Sequence, residues 1–514
     1  MTGAEALLET LADGGLEVCF SNPGTSEMHL VSAIDRSNRV RSILALFEGV
    51  ATGAADGYGR MTGKPAATLL HLGPGLANGL ANLHNARRAR SPIINIVGDH
   101  AVSHLAYDAP LTSDLRGVAL PMSGWVEASE SSDQLPTAGA AAMHAAQQPP
   151  GQIATLIVPA DHAWSPASGP AAVLDRPIAD TTSSERIDAA ARLLRGTKRV
   201  AILLGGGALL EAGLDAAGRI ADASAAEILR ETFSARVERG AGRVEAETLP
   251  YFGEAAAARL EKLEALILVG AKAPVSFFAY PDQPSWLAPE GCEILTLAEP
   301  HESPAIALSD LALALDCAKT TTRTNALARP EAVAGELNPQ NLAVAISRSM
   351  PEGTIVSDES ATAGILLPSF TAQAAPHDWL QLTGGAIGQG GPLSVGAAVA
   401  CPDRQILCLQ GDGAAMYTLQ ALWTQAREGL NVTTVILANR SYAILNVEFS
   451  RVGLGEPGQK ALDMLNLTRP QLEWVKLAEG MGVPAVQVKT AEDLEKQLAI
   501  AFTEPGPRLI EAVI

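Results

Sequence analysis

Gly411-Asp412-Gly413 and Asn439 are the residues whose types and spacing point most sharply to chemistry. The apolar run Gln405–Leu409 leads into Gln410-Gly411-Asp412-Gly413-Ala414-Ala415, and a second run, Thr433–Leu437, leads into Asn439-Arg440-Ser441. Glycines where a strand turns into a helix let backbone N–H groups approach a phosphate at the helix N-terminus. Asp412 stands where a carboxylate can hold a hard cation against that phosphate. Mg²⁺ takes few protein oxygens and fills its sphere with water and phosphate, so Asp412, the Asn439 amide oxygen and one backbone carbonyl suffice. A lone Gly-Asp-Gly is as readily a tight turn, with Asn439 capping the next element. The ordered set of strand, Gly-Asp-Gly, helix, strand and Asn, spaced by 27 positions (439 − 412), is far more specific. Glu48 opens a helix of small apolar residues, Gly49, Val50, Ala51, Gly53, Ala54 and Ala55, where the helix dipole favours a carboxylate. His71 follows the run Ala66–Leu70 and precedes Gly73-Pro74-Gly75, a position open to a structural or a proton-transfer role.

Both runs that feed the first arrangement must end at the carboxyl edge of a parallel sheet, where open α/β sheets bind ligands. A chain of 514 residues suggests about three domains. It is 47 % hydrophobic but only 4 % aromatic, so its cores are aliphatic, as in α/β proteins whose strands are buried on both faces. Residues 1–165 alternate helices with the candidate strands Leu16–Ser21, Arg41–Ala45, Ala66–Leu70, Ile93–Val97 and Ile153–Val158. After a Ser/Pro/Ala/Gly-rich linker, residues 185–318 carry Val200–Leu204 and Ala265–Val269. Past the polar tract at Lys319, residues 336–514 carry Thr354–Ser357, Gln405–Leu409, Thr433–Leu437 and Arg508–Ala512, with a helix at Leu419–Glu428. The expected fold is α/β, with three domains of parallel sheets flanked by helices.

The sequence resembles the thiamine-diphosphate-dependent decarboxylase and acetolactate-synthase superfamily, through the Gly-Asp-Gly … Asn motif and two other segments. Phe47-Glu48-Gly49-Val50-Ala51, continuing to Ala55-Asp56-Gly57-Tyr58-Gly59-Arg60, looks like its pyrimidine-domain segment. Gly384-Gly385-Ala386-Ile387-Gly388-Gln389-Gly390-Gly391-Pro392 looks like its aminopyrimidine loop. The resemblance implies thiamine diphosphate and Mg²⁺ as cofactors. It assigns Glu48 a hydrogen bond to N1′ of the aminopyrimidine, which requires a carboxyl group able to hold a proton. It gives Gly385 a backbone contact to the 4′-amino group, and makes Ile387 the wedge that bends the cofactor, where acetolactate synthases carry methionine. The C2 ylide so formed would attack the carbonyl of a small 2-oxo acid. After CO₂ loss, the product is an aldehyde or is ligated to a second carbonyl; the cofactor does this organic chemistry and the protein sets its geometry. Asp412, Asn439 and the Ser441 carbonyl would hold the metal. Pro23, Gly24, Asn78, Thr362, Gly411, Gly413, Ala414 and Tyr442 complete the implied cofactor contacts.

Within the superfamily the sequence is most similar to benzoylformate decarboxylase and to acetolactate-synthase-like large subunits, from Phe20 to Ile514. Phe20-Ser21-Asn22-Pro23-Gly24-Thr25-Ser26-Glu27 matches the decarboxylase's first substrate loop, with Thr25 in place of serine, and His71 falls on a catalytic histidine. The decarboxylase's second active-site histidine has no counterpart in Ala273–Tyr280, and Ala414 replaces the usual serine. Gly205-Gly206-Gly207 after Val200–Leu204 lacks the third glycine of a dinucleotide fingerprint, Leu210 standing there. FAD therefore ranks second among cofactors. An FAD-containing acetolactate synthase or pyruvate-oxidase-type enzyme, and a catalytically inactive regulatory homologue, are the alternative readings. Since the family builds its site between subunits, a homodimer or homotetramer with active sites at the dimer interface is expected.

With 37 basic and 56 acidic residues the net charge is −19, which speaks against nucleic acid and anionic membrane partners. No apolar run reaches the ~18 residues a membrane span needs. The N-terminus, acidic early and without a basic-then-apolar pattern, does not read as a signal peptide. Five cysteines in no metal or redox spacing read as free thiols, and the expected location is cytoplasmic.

Overall fold

Apolar runs between glycine- and proline-marked turns become strands, and the helices between them return the chain so that successive strands run parallel. The structure, a computed structural model, describes residues 1–455 and 457–514. Its N-terminal sheet contains β1 (Val18–Asn22), β2 (Arg41–Leu44), β3 (Ala66–Leu70), β4 (Ile93–Asp99), β5 (Trp125–Ala128) and β6 (Ile153–Pro159), in the order β2-β1-β3-β4-β6-β5. The central sheet, β10-β8-β7-β11-β12, is built from β7 (Val200–Leu204), β8 (Glu227–Arg230), β10 (Glu247–Thr248), β11 (Ala265–Val269) and β12 (Glu293–Ala298). The C-terminal sheet, β17-β18-β16-β15-β13-β14-β9, comprises β13 (Ile355–Glu359), β14 (His377–Gln381), β15 (Ile406–Gly411), β16 (Val432–Ala438), β17 (Ala485–Val488), β18 (Arg508–Val513) and β9 (Val237–Arg239). All pairs are parallel except β14 with β9, which comes from the central part of the chain and pairs antiparallel. The fold is α/β throughout, as expected.

Strand order decides where each sheet can hold a ligand. A crevice opens at the carboxyl edge where successive connections leave a strand toward opposite sides. In the N-terminal sheet this is between β1 and β3, which end at Asn22 and Leu70. In the C-terminal sheet it is between β13 and β15, which end at Glu359 and Gly411. Several strands differ from expectation at their ends. β1 starts at Val18 because the Leu16 amide is spent on closing the first helix, donating to the Leu11 carbonyl at 2.9 Å. β13 and β15 run past their apolar stretch because pairing continues to Glu359↔Gln410.

The outer sheets are locked together by two helices, Glu48–Thr62 and Gly390–Ala400. Four glycines in Glu48–Thr62 weaken it intrinsically by up to about 1 kcal/mol each relative to alanine. Packing requires one glycine from each helix: a Cβ on Gly57 would lie 2.1 Å from the Leu393 carbonyl oxygen, and one on Gly396 1.8 Å from that of Ala54. The helices thus meet backbone to backbone, and their residues share one core with both sheets. At their crossing Asp56 and Arg60 form a fully buried ion pair at 2.7 Å. Arg60 also donates to the carbonyls of Ala235 and Gln381 and to the Thr383 hydroxyl, tying all three parts of the chain to one guanidinium.

Candidate active site

At the N-terminal crevice, the turn after β1 and the turn after β3 bring Asn22-Pro23-Gly24 beside His71. The Glu48–Thr62 helix begins at Glu48 itself, after Phe47, whose backbone is extended. Glu48 is 8 % exposed and accepts a hydrogen bond from Asn78 Nδ2 at 3.0 Å. His71 is the residue before the Leu72–Ala89 helix, and Leu72 makes the sharp strand-to-helix turn with φ +44°. Left-handed backbone at a branched residue is costly, and such strain is concentrated at functional sites. Gly75, in the first turn of that helix, separates the two ionisable groups: its Cβ would stand 3.2 Å from Glu48 Oε1 and 3.4 Å from His71 Cβ.

The imidazole is held by a residue that motif reasoning passed over. Glu27 is wholly buried, and its Oε2 accepts from His71 Nδ1 at 2.7 Å and from the Gly24 amide at 2.7 Å. Its Oε1 accepts from the Ser26 hydroxyl at 2.9 Å. Holding Nδ1–H against a carboxylate fixes the tautomer and leaves Nε2 as the nitrogen that exchanges protons. Gly24 is required here, since any Cβ would fall 2.2 Å from His71 Nδ1. Thr25, the first residue of a one-turn 3₁₀ helix, is exposed at the mouth of this group. The hint in sequence was an acid closing Pro23-Gly24-Thr25-Ser26-Glu27, but its partner lies 44 positions away.

The C-terminal crevice is built mainly from backbone. Asp412 opens the one-turn helix Asp412–Ala415 at 3 % exposure, and Asn439 directly follows β16. Asp412 Oδ1 accepts from the Gly413 amide at 2.9 Å and Oδ2 from the Arg440 amide at 2.6 Å. Burial raises the Asp412 pKa, while the Arg440 and Gly413 amides oppose that rise. Arg440 adopts φ +58°, which turns its amide toward Asp412. The Asn439 side chain folds over its own turn, Oδ1 accepting from the Ser441 amide at 3.1 Å. Tyr442 closes the other side: a Cβ on Gly413 would be 2.4 Å from Tyr442 Cε1, so only glycine leaves the cradle open.

The residues present fit a cation and a diphosphate. Asp412, Asn439 and the Ser441 carbonyl are an all-oxygen donor set of the kind Mg²⁺ takes. Beside them the Asn446 amide oxygen is buried without a hydrogen-bond partner, while its Nδ2 donates to Ser441. Among the described residues no group of three or more His, Cys, Asp or Glu side chains is placed to hold a metal, so a cation here would complete its sphere with ligand oxygens and water.

The loop containing Gly385 and Ile387 connects β14 to the helix Gly390–Ala400. Gly385 has φ +75°, Ile387 is half-buried, and Ala414 is buried after Gly413. Within the chain the N-terminal helix Leu72–Ala89 grips this loop: His84 Nε2 donates to the Gly384 carbonyl at 3.0 Å and Asn85 Nδ2 to that of Ala386 at 2.7 Å. Thr362, half-buried beyond β13, shares the crevice with Gly411. The stretch Ala273–Tyr280, without a histidine, sets Phe277 against Gly385, its Cζ 2.9 Å from where a Cβ would stand. Phe277 belongs to an aromatic cluster with Phe233, Tyr251 and Phe278. Among the described residues no hydrogen bond joins Glu48, Asn78 or His71 directly to Asp412 or Asn439.

The central sheet has its own crevice, between β7 and β11, tight at Gly205 but open at the exposed Gly206 and Gly207. A Cβ on Gly205 would lie 2.7 Å from Glu231 Oε2 and 2.8 Å from the Gly270 carbonyl, and a Cβ on Gly270 would lie 2.9 Å from Pro304 Cγ. Burial raises the pKa of Glu231, whose Oε1 accepts from the Lys272 amide.

Comparison with known proteins agrees with this geometry. Residues 1–118 match the thiamine pyrophosphate enzyme N-terminal TPP binding domain, and residues 364–512 match the corresponding C-terminal domain. A Mycobacterium tuberculosis protein provisionally named acetolactate synthase large subunit IlvX is 54 % identical over 516 residues, covering 100 % of this chain and 99 % of its own. Benzoylformate decarboxylase of Pseudomonas aeruginosa is 29 % identical, covering 98 % and 97 %. The structure of the Rhodococcus jostii thiamine diphosphate-dependent 4-hydroxybenzoylformate decarboxylase superposes with a TM-score of 0.87 at 24 % identity, covering 99 % of this chain and 98 % of that one, and so shares its fold.

Proposed function

This chain belongs to the thiamine pyrophosphate enzyme family, and from that premise we propose a Mg²⁺-dependent enzyme that decarboxylates a small 2-oxo acid. The product is released as an aldehyde or ligated to a second carbonyl. The observation that carries the reading is the pairing of two crevices of opposite character: proton-handling side chains at one sheet edge, a backbone cradle with an acid at the other. Bound thiamine diphosphate would supply a carbon nucleophile and an electron sink; the protein binds, orients and moves protons.

Asp412, Asn439 and the Ser441 carbonyl hold the cation, and the Gly411, Gly413 and Ala414 turn seats the diphosphate, covered by Tyr442. Gly385, Ile387 and Thr362 line the ring cleft, with Pro23, Gly24 and Asn78 facing them from the other edge. Glu48 exchanges a proton with the aminopyrimidine N1′. His71, oriented by Glu27, moves a proton at the substrate side, and Thr25 stands beside it. Residues 1–165, 185–318 and 336–514 act as pyrimidine-binding, central and diphosphate-binding units. Following the family resemblance, each site is assembled from the Glu48 edge of one copy and the Asp412 edge of a second, in a homodimer or homotetramer. FAD ranks second among the cofactors, because Leu210 stands where a dinucleotide fingerprint has its third glycine, and a flavin absorbance band in the purified protein would reverse that order. Five free cysteines accord with a cytoplasmic setting, and no helix of the described residues is long and apolar enough to cross a membrane.

The test is a panel of 2-oxo acids, benzoylformate and pyruvate included, with thiamine diphosphate and Mg²⁺, following CO₂ and identifying carbon products. Turnover of at least one member is expected, and no CO₂ from any of them would refute the activity.

A further inference from the structure

Glu359 ends β13 at 4 % exposure and has no part in the chemistry above. Its carboxylate is enclosed by four donors. Oε1 accepts from the amides of Gly388 at 2.6 Å and Gln389 at 3.2 Å, and Oε2 from the amide of Gly390 and from Gln410 Nε2, both at 2.8 Å. Three consecutive amides aimed at one carboxylate form a nest, an anion-binding concavity of the backbone. Burial pushes the Glu359 pKa up, and the amide of Gly390 leads the contacts that oppose the rise.

The nest begins one residue after Ile387. Gly388, at φ +94°, is the sharp bend between the Gly385–Ile387 segment and the helix Gly390–Ala400. Its carbonyl accepts from the Thr418 hydroxyl at 2.7 Å and from Asn82 Nδ2 at 3.4 Å, so both sides of that peptide are anchored. The Gln389 side chain donates to Asp56 Oδ2 at 2.9 Å, the acid already bound by Arg60 and Ser91. Two buried carboxylates, Glu359 on β13 and Asp56 on the helix Glu48–Thr62, therefore grip adjacent residues of one turn. A helix cap alone would need only the Gly390 amide; the contacts to Gly388 and Gln389 reach backward toward the cleft.

We propose that Glu359 is a positioning residue: by filling the Gly388–Gly390 nest it fixes where Gly385 and Ile387 stand in the cofactor cleft. This rests on the reading of that loop given above. It is tested by hydrogen–deuterium exchange of the full-length protein, with and without thiamine diphosphate and Mg²⁺, in E359A and E359Q. In E359A the amides of 388–390 should exchange at least ~10-fold faster in the cofactor-free protein, and thiamine diphosphate should bind at least ~10-fold more weakly, since a nest emptied of its anion leaves three buried donors unpaired. E359Q keeps the shape and one acceptor oxygen, so it should fall between E359A and wild type, and it carries the test should E359A fail to fold. Amides beyond Pro392 should keep their wild-type rates in both variants. Wild-type exchange at 388–390, or faster exchange spread evenly along the whole Gly390–Ala400 helix, would overturn the proposal; the latter is what a simple cap predicts. Failure of the wild-type protein to bind thiamine diphosphate would instead sink the functional reading, while exchange in the cofactor-free protein still decides the role of Glu359.

Discussion

The two outer crevices share a topology and differ in what fills them. At the β1/β3 edge the working groups are side chains, Glu27, Glu48 and His71, each held by another side chain or by a glycine that lets it come close. At the β13/β15 edge they are mostly peptide groups, arranged by Arg440 at φ +58° and by the close seating of Gly413 under Tyr442. Side chains can change protonation state at neutral pH; peptide groups cannot. On the proposed reading, proton movement falls to the first edge and anion and cation holding to the second. Variants at the first should therefore damage turnover, and variants at the second should damage cofactor retention.

The largest effect should come from Glu48→Gln, which keeps the shape but removes an exchangeable proton. Turnover should fall ~10²–10⁴-fold, the usual worth of a positioned acid–base group, with thiamine diphosphate affinity nearly unchanged. Equal losses in both would erase the contrast between the edges. Asp412→Ala should do the opposite, weakening Mg²⁺-dependent cofactor binding at least ~10–100-fold, and a chelator should release thiamine diphosphate from the wild-type protein. Titration of bound cofactor by fluorescence checks both.

Glu27→Gln sharpens the comparison within the first edge. Losing a charged acceptor at His71 Nδ1 should lower kcat by ~10-fold or more, as a charge-assisted hydrogen bond warrants, and change the pH–rate profile with little effect on cofactor affinity. An unaltered profile would mean that Glu27 serves only packing.

The smallest functional effect belongs to His377 on β14, far along the C-terminal sheet from the cradle. Burial lowers its pKa from 6.5 to about 4, with nearby Arg239 adding to the shift. A depressed folded pKa means the stabilisation is present above pH ~6.5 and is lost as pH falls from there through about 4. At most this is on the order of 3 kcal/mol across that window. His377→Gln should flatten the acid limb of a thermal-stability profile between these values and leave kcat unchanged near neutrality. An acid limb as steep as wild type would show that other groups set it.

Much of this was readable before any coordinates. Ala66–Leu70, Val200–Leu204 and Ala265–Val269 are strands at their expected residues because each is buried on both faces and so reads as an unbroken apolar run. Asp412, Asn439, Glu48 and His71 all fall at strand or helix ends on the expected edges for the same reason. β14, His-Asp-Trp-Leu-Gln, was not readable, because its Asp378 is buried only by pairing with Arg236 and Arg404, which lie far off in sequence. Glu27 and Glu359 were likewise hidden: nothing local distinguishes an acid that will meet an imidazole or an amide nest from one that faces water. The Gly205-Gly206-Gly207 turn makes the converse point, since Gly205 is hemmed in by Glu231 and Gly270 while Gly206 and Gly207 are exposed, and nothing local tells them apart.

β9 has a consequence for how this chain can be cut or recombined. Val237–Arg239 completes the ladder of β14 through Val237↔Trp379, Glu238↔Asp378 and Arg239↔His377, although its neighbours in sequence belong to the central sheet. It works as a permanently donated strand, covering an edge that would otherwise present free amides and carbonyls to any passing chain. The central segment is therefore no interchangeable cassette. Excising it, or swapping in a relative's version without a matching strand, would leave the C-terminal half with an open template for self-association.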